Sequence, residues 1–274
     1  MTGLRCDAVD GLRRRWMIAR DAVRLNRRAR AEWQARPDNA FTTDGYAVVP
    51  DLLDRAECER LVALADDLLT ESSRVISGNC YTWVKAQAAH GRNTQVREIL
   101  NVNEVDPGVA ALLDERVVQR EFEARLGEPV ELYGFSIQVD GTDTRTKRGF
   151  HVDTLHPPVL KAFIYLTDVH DEADGPYTII PGSHRHYVRK AINDFINAVS
   201  SSGRRDMHHV VADRRQTPVL GPAGTMILST QDAMHKGGSE HSGRPRYALI
   251  AHGTTARHFA GGPLTEGRAL VEGP

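Results

Sequence analysis

The sequence predicts a mainly β protein with flanking helices, its strands forming a sandwich or barrel. Three observations carry that expectation. From Val130 onward, short apolar runs recur at 131–139, 148–153, 159–168, 177–180, 208–212, 217–220, 224–230 and 245–253. Turn residues separate them at Gly141, Pro157-Pro158, Gly175-Pro176, Pro181-Gly182, Gly221-Pro222 and Gly243, and runs so spaced are the pattern of an all-β sandwich or barrel. Helical periodicity is concentrated ahead of Val130.

The elements follow in chain order. Residues 1–37 are rich in arginine, but Asp7, Asp10, Asp21 and Glu32 interrupt the charge and no serine is present, which opposes a transit peptide. Leu12, Trp16, Ala19 and Val23 share one helical face, so this stretch reads as an amphipathic helix laid on the main domain. Pro37-Asp-Asn breaks it, and Gly45-Tyr-Ala-Val-Val-Pro50 reads as a short buried strand stopped by proline. Asp54 and Glu57 have capping-box spacing ahead of a helix carrying Leu61, Val62, Leu64, Leu68 and Leu69. Residues 72–104 read as polar and irregular, and one helix is expected over 109–126. The expected organisation is a helical extension over 1–37, a single domain over 38–260 and a tail over 261–274.

A chain of 274 residues can bury a substantial core. Lys+Arg 35 against Asp+Glu 36 leaves no basic excess for binding nucleic acid or an anionic membrane. No apolar run approaches the roughly 20 residues of a bilayer span. Cys6, Cys58 and Cys80 are far apart and lack CxxC spacing, which argues against a disulfide framework or a cysteine zinc site. Phosphate-loop and dinucleotide motifs are missing. These exclusions leave a cytoplasmic enzyme with a small-molecule substrate, as monomer or homodimer.

Chemistry concentrates at Phe150-His151-Val152-Asp153. Residues i and i+2 of a strand face the same way, so His151 and Asp153 can reach one point. An imidazole nitrogen and a carboxylate oxygen suit a divalent metal. One further histidine completes a 2-His-1-carboxylate facial triad, which leaves three positions open on an octahedral ion, as non-haem iron(II) requires. His235 is the candidate: it ends the run Met226-Ile-Leu-Ser-Thr-Gln-Asp-Ala-Met-His and precedes Lys236-Gly-Gly. Eleven residues on, Arg246 opens the apolar strand Tyr247-Ala-Leu-Ile-Ala. A guanidinium buried there asks for an anion, and a carboxylate matches its planar fork.

With these residues in place, the chain resembles the phytanoyl-CoA dioxygenase (PhyH-like) family of Fe(II)- and 2-oxoglutarate-dependent oxygenases. The resemblance runs over about 40–255. Phe41-Thr-Thr-Asp-Gly-Tyr-Ala-Val-Val-Pro-Asp-Leu-Leu53 is similar to the family's opening strand and helix, and Gly175-Pro-Tyr-Thr-Ile-Ile-Pro-Gly-Ser-His184 to its Pro-Gly-Ser-His turn. The resemblance implies a double-stranded β-helix, the cupin-like jelly roll. It implies His151, Asp153 and His235 as metal ligands, Arg246 as anchor for the distal carboxylate of 2-oxoglutarate, and Ser242 and Gln138 as further co-substrate contacts. It implies Fe(II), O2 and 2-oxoglutarate, the last leaving as succinate and CO2.

Asp153 is intact where related halogenases carry a small residue, so hydroxylation is the expected outcome, on a metabolite such as a bacterial natural-product intermediate. Glu240, where the family often has Asn, and the loop Gly141–Lys147 depart from the pattern at the substrate entrance. A metal-dependent isomerase or hydrolase on the same jelly roll is the alternative. His184 is expected to brace its turn, and substrate contacts are expected from 72–104, 141–149 and 185–205.

Overall fold

In the computed structural model the described residues are 17, 20, 21, 23–70, 72–89, 92–141, 149–153, 158–199, 215–238 and 242–265. The helices are α1 (23–34), α2 (Ala40–Asp44), α3 (Arg55–Leu68), α4 (Pro107–Asp114), α5 (Val117–Leu126) and α6 (Tyr187–Val199). The strands are β1 (Tyr46–Val49), β2 (Arg74–Ser77), β3 (Cys80–Ala89), β4 (Arg92–Leu100), β5 (Val130–Asp140), β6 (Val159–Tyr165), β7 (Tyr177–Ile179), β8 (Thr217–Val219), β9 (Met226–Thr230), β10 (His235–Gly237) and β11 (Arg246–Thr255). Eight of them form one antiparallel sheet in the order β1-β9-β6-β11-β5-β4-β3-β2, and β10-β7-β8 form a second. Residues of both sheets line one cavity, the jelly-roll arrangement that the family resemblance implies.

Strand periodicity sorts the large sheet into two faces. Ile137 and Val139 of β5, Leu160, Ala162 and Ile164 of β6, and Leu249 and Ala251 of β11 are fully buried. They belong to the same core as Leu61 of α3, Val109 of α4 and Phe122 of α5. The alternate residues, among them Gln138, Lys161, Phe163, Arg246 and His252, line the cavity.

The largest departure from expectation is 72–104, which holds β2, β3 and β4 and extends the large sheet beyond β5. Its apolar residues follow no regular alternation, but Cys80, Tyr81, Ile99 and Leu100 are at most 1% exposed, and backbone pairing of β4 with β5 supplies the order that the pattern hides. The helix expected over 109–126 is two helices, because Arg116 takes a left-handed conformation (φ 54°) between α4 and α5. The strand expected over Gly45–Pro50 is β1, a partly exposed edge strand paired with β9. Of 148–153, His151 makes only an isolated bridge, and 208–212 lies outside the described residues. Asp54 caps α3 by accepting from the Glu57 amide at 2.8 Å, while the Glu57 carboxylate turns to Arg60. No described helix is long and apolar enough to cross a membrane.

Helix α1 buries Asn26, Ala29 and Trp33; Val23 is 43% exposed, and Leu12, Trp16 and Ala19 lie outside the described residues. The Trp33 indole donates to Asp232 at 2.9 Å and its ring meets His184 edge-on at 4.6 Å. Asp232 also accepts from Thr230 at 2.5 Å and lies 3.7 Å from the fully buried Lys190 ammonium of α6. Lys190 in turn donates to the His184 carbonyl at 2.8 Å. This buried ion pair thus ties α1 and α6 to the turn that leads into β10.

His184 is fully buried, and its Nε2 donates to the Thr42 carbonyl at 3.0 Å. Burial pushes its pKa down to about 4. The unfolded chain takes up this proton near the ordinary histidine pKa of about 6.5, and the folded chain only near 4, so stability falls as pH drops through that window. We predict that acid unfolding monitored between pH 7 and 4 shows a shallower loss in His184→Gln than in the wild type. The difference should reach up to about 3 kcal/mol; equal slopes would show that His184 is not held neutral.

Candidate metal centre

The segment 150–153 alternates as its sequence dictates. Phe150 and Val152 are buried with Ile180 and Met234, which turns His151 and Asp153 to the opposite side. His151 is paired with His235 in an antiparallel bridge, amide to carbonyl in both directions at 2.9 and 3.0 Å. The Asp153 amide continues the contact by donating to the Gln231 carbonyl at 2.9 Å. The two imidazole rings consequently lie side by side, with centroids 4.4 Å apart.

Hydrogen bonding sets the state of both rings. His151 Nδ1 lies 2.8 Å from the Gly149 carbonyl, and His235 Nδ1 lies 2.9 Å from the Ala233 carbonyl. A carbonyl only accepts, so each Nδ1 carries the proton and, in the neutral ring, each Nε2 keeps a lone pair. Those Nε2 atoms sit 3.5 and 3.9 Å from Asp153 Oδ1. One ligand atom from each of the three residues lies within 4.8 Å of the others, the only such cluster among the described residues. Two imidazole nitrogens and one carboxylate oxygen fit a divalent first-row metal, and second bonds from Nδ1 to the backbone are the usual support of such ligands.

Burial alone would raise the Asp153 pKa, but Lys161, His235 and His151 outweigh it and hold the carboxyl well below the usual range. Lys161 Nζ donates to Asp153 Oδ2 at 2.9 Å, the oxygen that does not face the imidazoles. Tyr177 of β7 stacks on the His235 ring at 5.6 Å and binds Ser229 Oγ at 2.6 Å, so His235 is packed from the small sheet as well.

Arg246 and Gln138 line the same cavity of about 230 Å³ as the three ligands. Arg246 is buried, and its counter-ion comes from its own chain: Nε donates to Asp140 Oδ2 at 3.1 Å, and a terminal nitrogen reaches the same oxygen. Its other terminal nitrogen donates to the Gly175 carbonyl. Gly238 permits that arrangement, since a Cβ there would sit 2.6 Å from the Gly175 backbone. Gln138 donates to both Asp140 oxygens at 3.2 Å. Ser242 is not among the cavity residues; its hydroxyl binds the carboxyl of Asp174, which also pairs with Arg244 at 2.9 Å.

Several cavity residues escape a reading of the sequence: Lys161, Asp140, Glu98 and His252. His252 Nε2 is 2.9 Å from Ser136 Oγ, which donates to Glu98 at 2.9 Å. One available signal is the lone charge in Val159-Leu-Lys-Ala-Phe-Ile-Tyr165, an otherwise apolar strand. Another is the Gln138-Val-Asp140 alternation, which puts both polar groups on one face. Of the expected substrate contacts, Tyr81 is fully buried and Arg189 is exposed on α6, while Arg145 and Lys147 lie outside the described residues, as does Glu240, the departure from the family pattern.

The family model for phytanoyl-CoA dioxygenase (PhyH) matches residues 41–248. The chain belongs to this family. It is an Fe/2-oxoglutarate-dependent enzyme of the PhyH-like fold. No curated protein sequence matches it significantly. Among solved structures, the carbocyclase SnoK from nogalamycin biosynthesis is 18% identical with a TM-score of 0.59, covering 87% of this chain and 92% of its own. The epimerase SnoN, crystallised with Fe3+, alpha ketoglutarate and nogalamycin RO, is 18% identical with a TM-score of 0.58 over 79% of this chain and 81% of its own. HygX from Streptomyces hygroscopicus, with nickel and 2-oxoglutarate bound, is 16% identical with a TM-score of 0.56 over 85% and 91%. At these identities the likeness shows the PhyH-like double-stranded β-helix fold.

The Arg246–Asp140 pair makes a stability prediction. Each single truncation removes the buried counter-ion of the residue that remains, so Arg246→Ala and Asp140→Ala should each lose about 3 kcal/mol in urea unfolding. The double variant should lose clearly less than the two losses combined. Strict additivity would show that the two charges do not depend on each other.

Proposed function

We propose that His151, Asp153 and His235 hold Fe(II), and that the enzyme couples decarboxylation of 2-oxoglutarate to oxidation, most simply hydroxylation, of a small-molecule metabolite. The observation that carries this reading is the pair of Nε2 lone pairs and the Asp153 oxygen converging on one face of a cavity. Bound iron with 2-oxoglutarate supplies dioxygen activation, the keto acid leaving as succinate and CO2. The protein supplies everything else. The backbone bridge fixes the distance between the imidazoles, and their Nδ1–H bonds keep the Nε2 atoms available as ligands.

Arg246, a planar five-donor cation in the cavity wall, is the group that meets the distal carboxylate of 2-oxoglutarate, with Gln138 beside it. Asp140 and the Gly175 carbonyl orient the guanidinium before the co-substrate arrives. Apolar and aromatic walls from Phe163, Tyr165 and Ile250 exclude water, while Glu98 and His252 present polar groups to the substrate. A polar metabolite, such as a bacterial natural-product intermediate, suits this lining. Cys58 and Cys80 are free and buried, burial pushing their pKa values up to about 11 and about 12, so they keep their protons; this accords with a cytoplasmic enzyme whose chemistry does not use thiols.

Addition of Fe(II) and 2-oxoglutarate without oxygen should produce a weak visible charge-transfer band. His235→Ala and Asp153→Ala should abolish it, and oxygen should then release succinate in the wild type. A zinc-loaded enzyme whose activity ignores oxygen would instead favour an isomerase or hydrolase. Product analysis with a turned-over substrate separates hydroxylation from the epimerisation and carbocyclisation named for SnoN and SnoK.

A further inference from the structure

The Asp153 carboxylate is divided between two environments. Oδ1 faces the Nε2 atoms of His151 and His235 at 3.5 and 3.9 Å, and Oδ2 accepts from Lys161 Nζ at 2.9 Å. Lys161 is fixed at that position by the sheet. It sits in the middle of β6, paired in register with His252 of β11 on one side and Ser229 of β9 on the other. Its neighbours Leu160 and Ala162 are fully buried on the opposite face, so strand periodicity commits its side chain to the cavity. An ammonium among otherwise apolar neighbours of its own strand has no packing role that leucine would not fill.

A carboxylate can bind a metal through one oxygen or through both. A charge-assisted hydrogen bond to one oxygen takes one of its two lone pairs and draws on the negative charge that second coordination would need. Two-point binding by Asp153 would use one of the three positions that a facial triad leaves open. A chelating keto acid takes two of those positions, so the third is the one left for dioxygen.

We propose that Lys161 is a positioning residue that holds Asp153 to single-oxygen metal binding and so keeps the third coordination site open. The proposal rests on the metal-site assignment given under Proposed function. Lys161 acts through Asp153 and touches neither the metal nor the reacting atoms.

The test counts exchangeable waters on Mn(II), used alone as the probe, by water-proton relaxation of the full chain. Wild type has three open positions, so Lys161→Met, with two, should show relaxivity near two-thirds of wild type. It should bind Mn(II) at least as tightly, because the site has gained a net negative charge. Lys161→Arg, which restores a cation on Oδ2, should return the wild-type relaxivity, a rescue that a merely structural lysine does not predict. If methionine disturbs folding by circular dichroism, Lys161→Thr carries the same comparison on a β-favouring side chain.

Unchanged relaxivity in a folded neutral variant overturns the proposal. So does unchanged relaxivity with weakened 2-oxoglutarate binding, which would make Lys161 a co-substrate contact. Failure of wild type to bind Mn(II) at all, or binding insensitive to His235→Ala, would instead remove the metal-site assignment and this inference with it.

Discussion

Two backbone hydrogen bonds between His151 and His235, 2.9 and 3.0 Å long, are the constraint on which the site depends. They join a segment that follows β5, and that belongs to neither sheet, to the first residue of β10 in the small sheet. A backbone bridge fixes the separation of two residues far more tightly than side-chain packing does, because both donors and both acceptors must be satisfied together. Once the bridge forms, strand alternation decides the rest. Phe150, Val152 and Met234 enter a small buried cluster, and the imidazoles and Asp153 have only the cavity left to face. The buried Lys190–Asp232 pair, three residues ahead of His235, holds the turn that delivers β10 to this contact.

Charge is balanced locally. Asp153 has Lys161, and Arg246 has Asp140, so neither cavity charge is buried alone. This changes the physical reading of Arg246. Asp140 already supplies it with an anion, so on the proposed reading it would offer a keto acid orientation and donors, with its charge partly compensated. The same logic separates the histidines. His151 and His235 donate through Nδ1 and turn Nε2 toward Asp153, whereas His184 donates through Nε2 and is sealed beneath Trp33.

Much of this was legible in the sequence. The strands from Val130 onward were marked by turn residues, and β5, β6, β9 and β11 fall where apolar runs predict them. His151, Asp153 and His235 stood out by spacing and context, and the cavity gathers them with Gln138 and Arg246. The hairpin β3–β4 did not stand out, because polar residues interrupt its apolar ones without a regular alternation and its order comes from pairing within the hairpin and of β4 with β5. Lys161 and Asp140 escaped for another reason. Their roles are defined by partners 8 and 106 residues away, a pairing that only the closed sheet reveals. Ser242 shows the converse: a hydroxyl at a suggestive spacing binds Asp174 and lies outside the cavity lining.

The central claim is that the backbone bridge converges three particular atoms on one metal. Anomalous diffraction at the iron edge, from crystals grown without oxygen in Fe(II) and 2-oxoglutarate, tests it most directly. The account predicts one peak bonded to Nε2 of His151, Nε2 of His235 and a single oxygen of Asp153, with the bridge intact. A peak bonded through Nδ1, or one elsewhere in the chain with the three residues unligated, would contradict it.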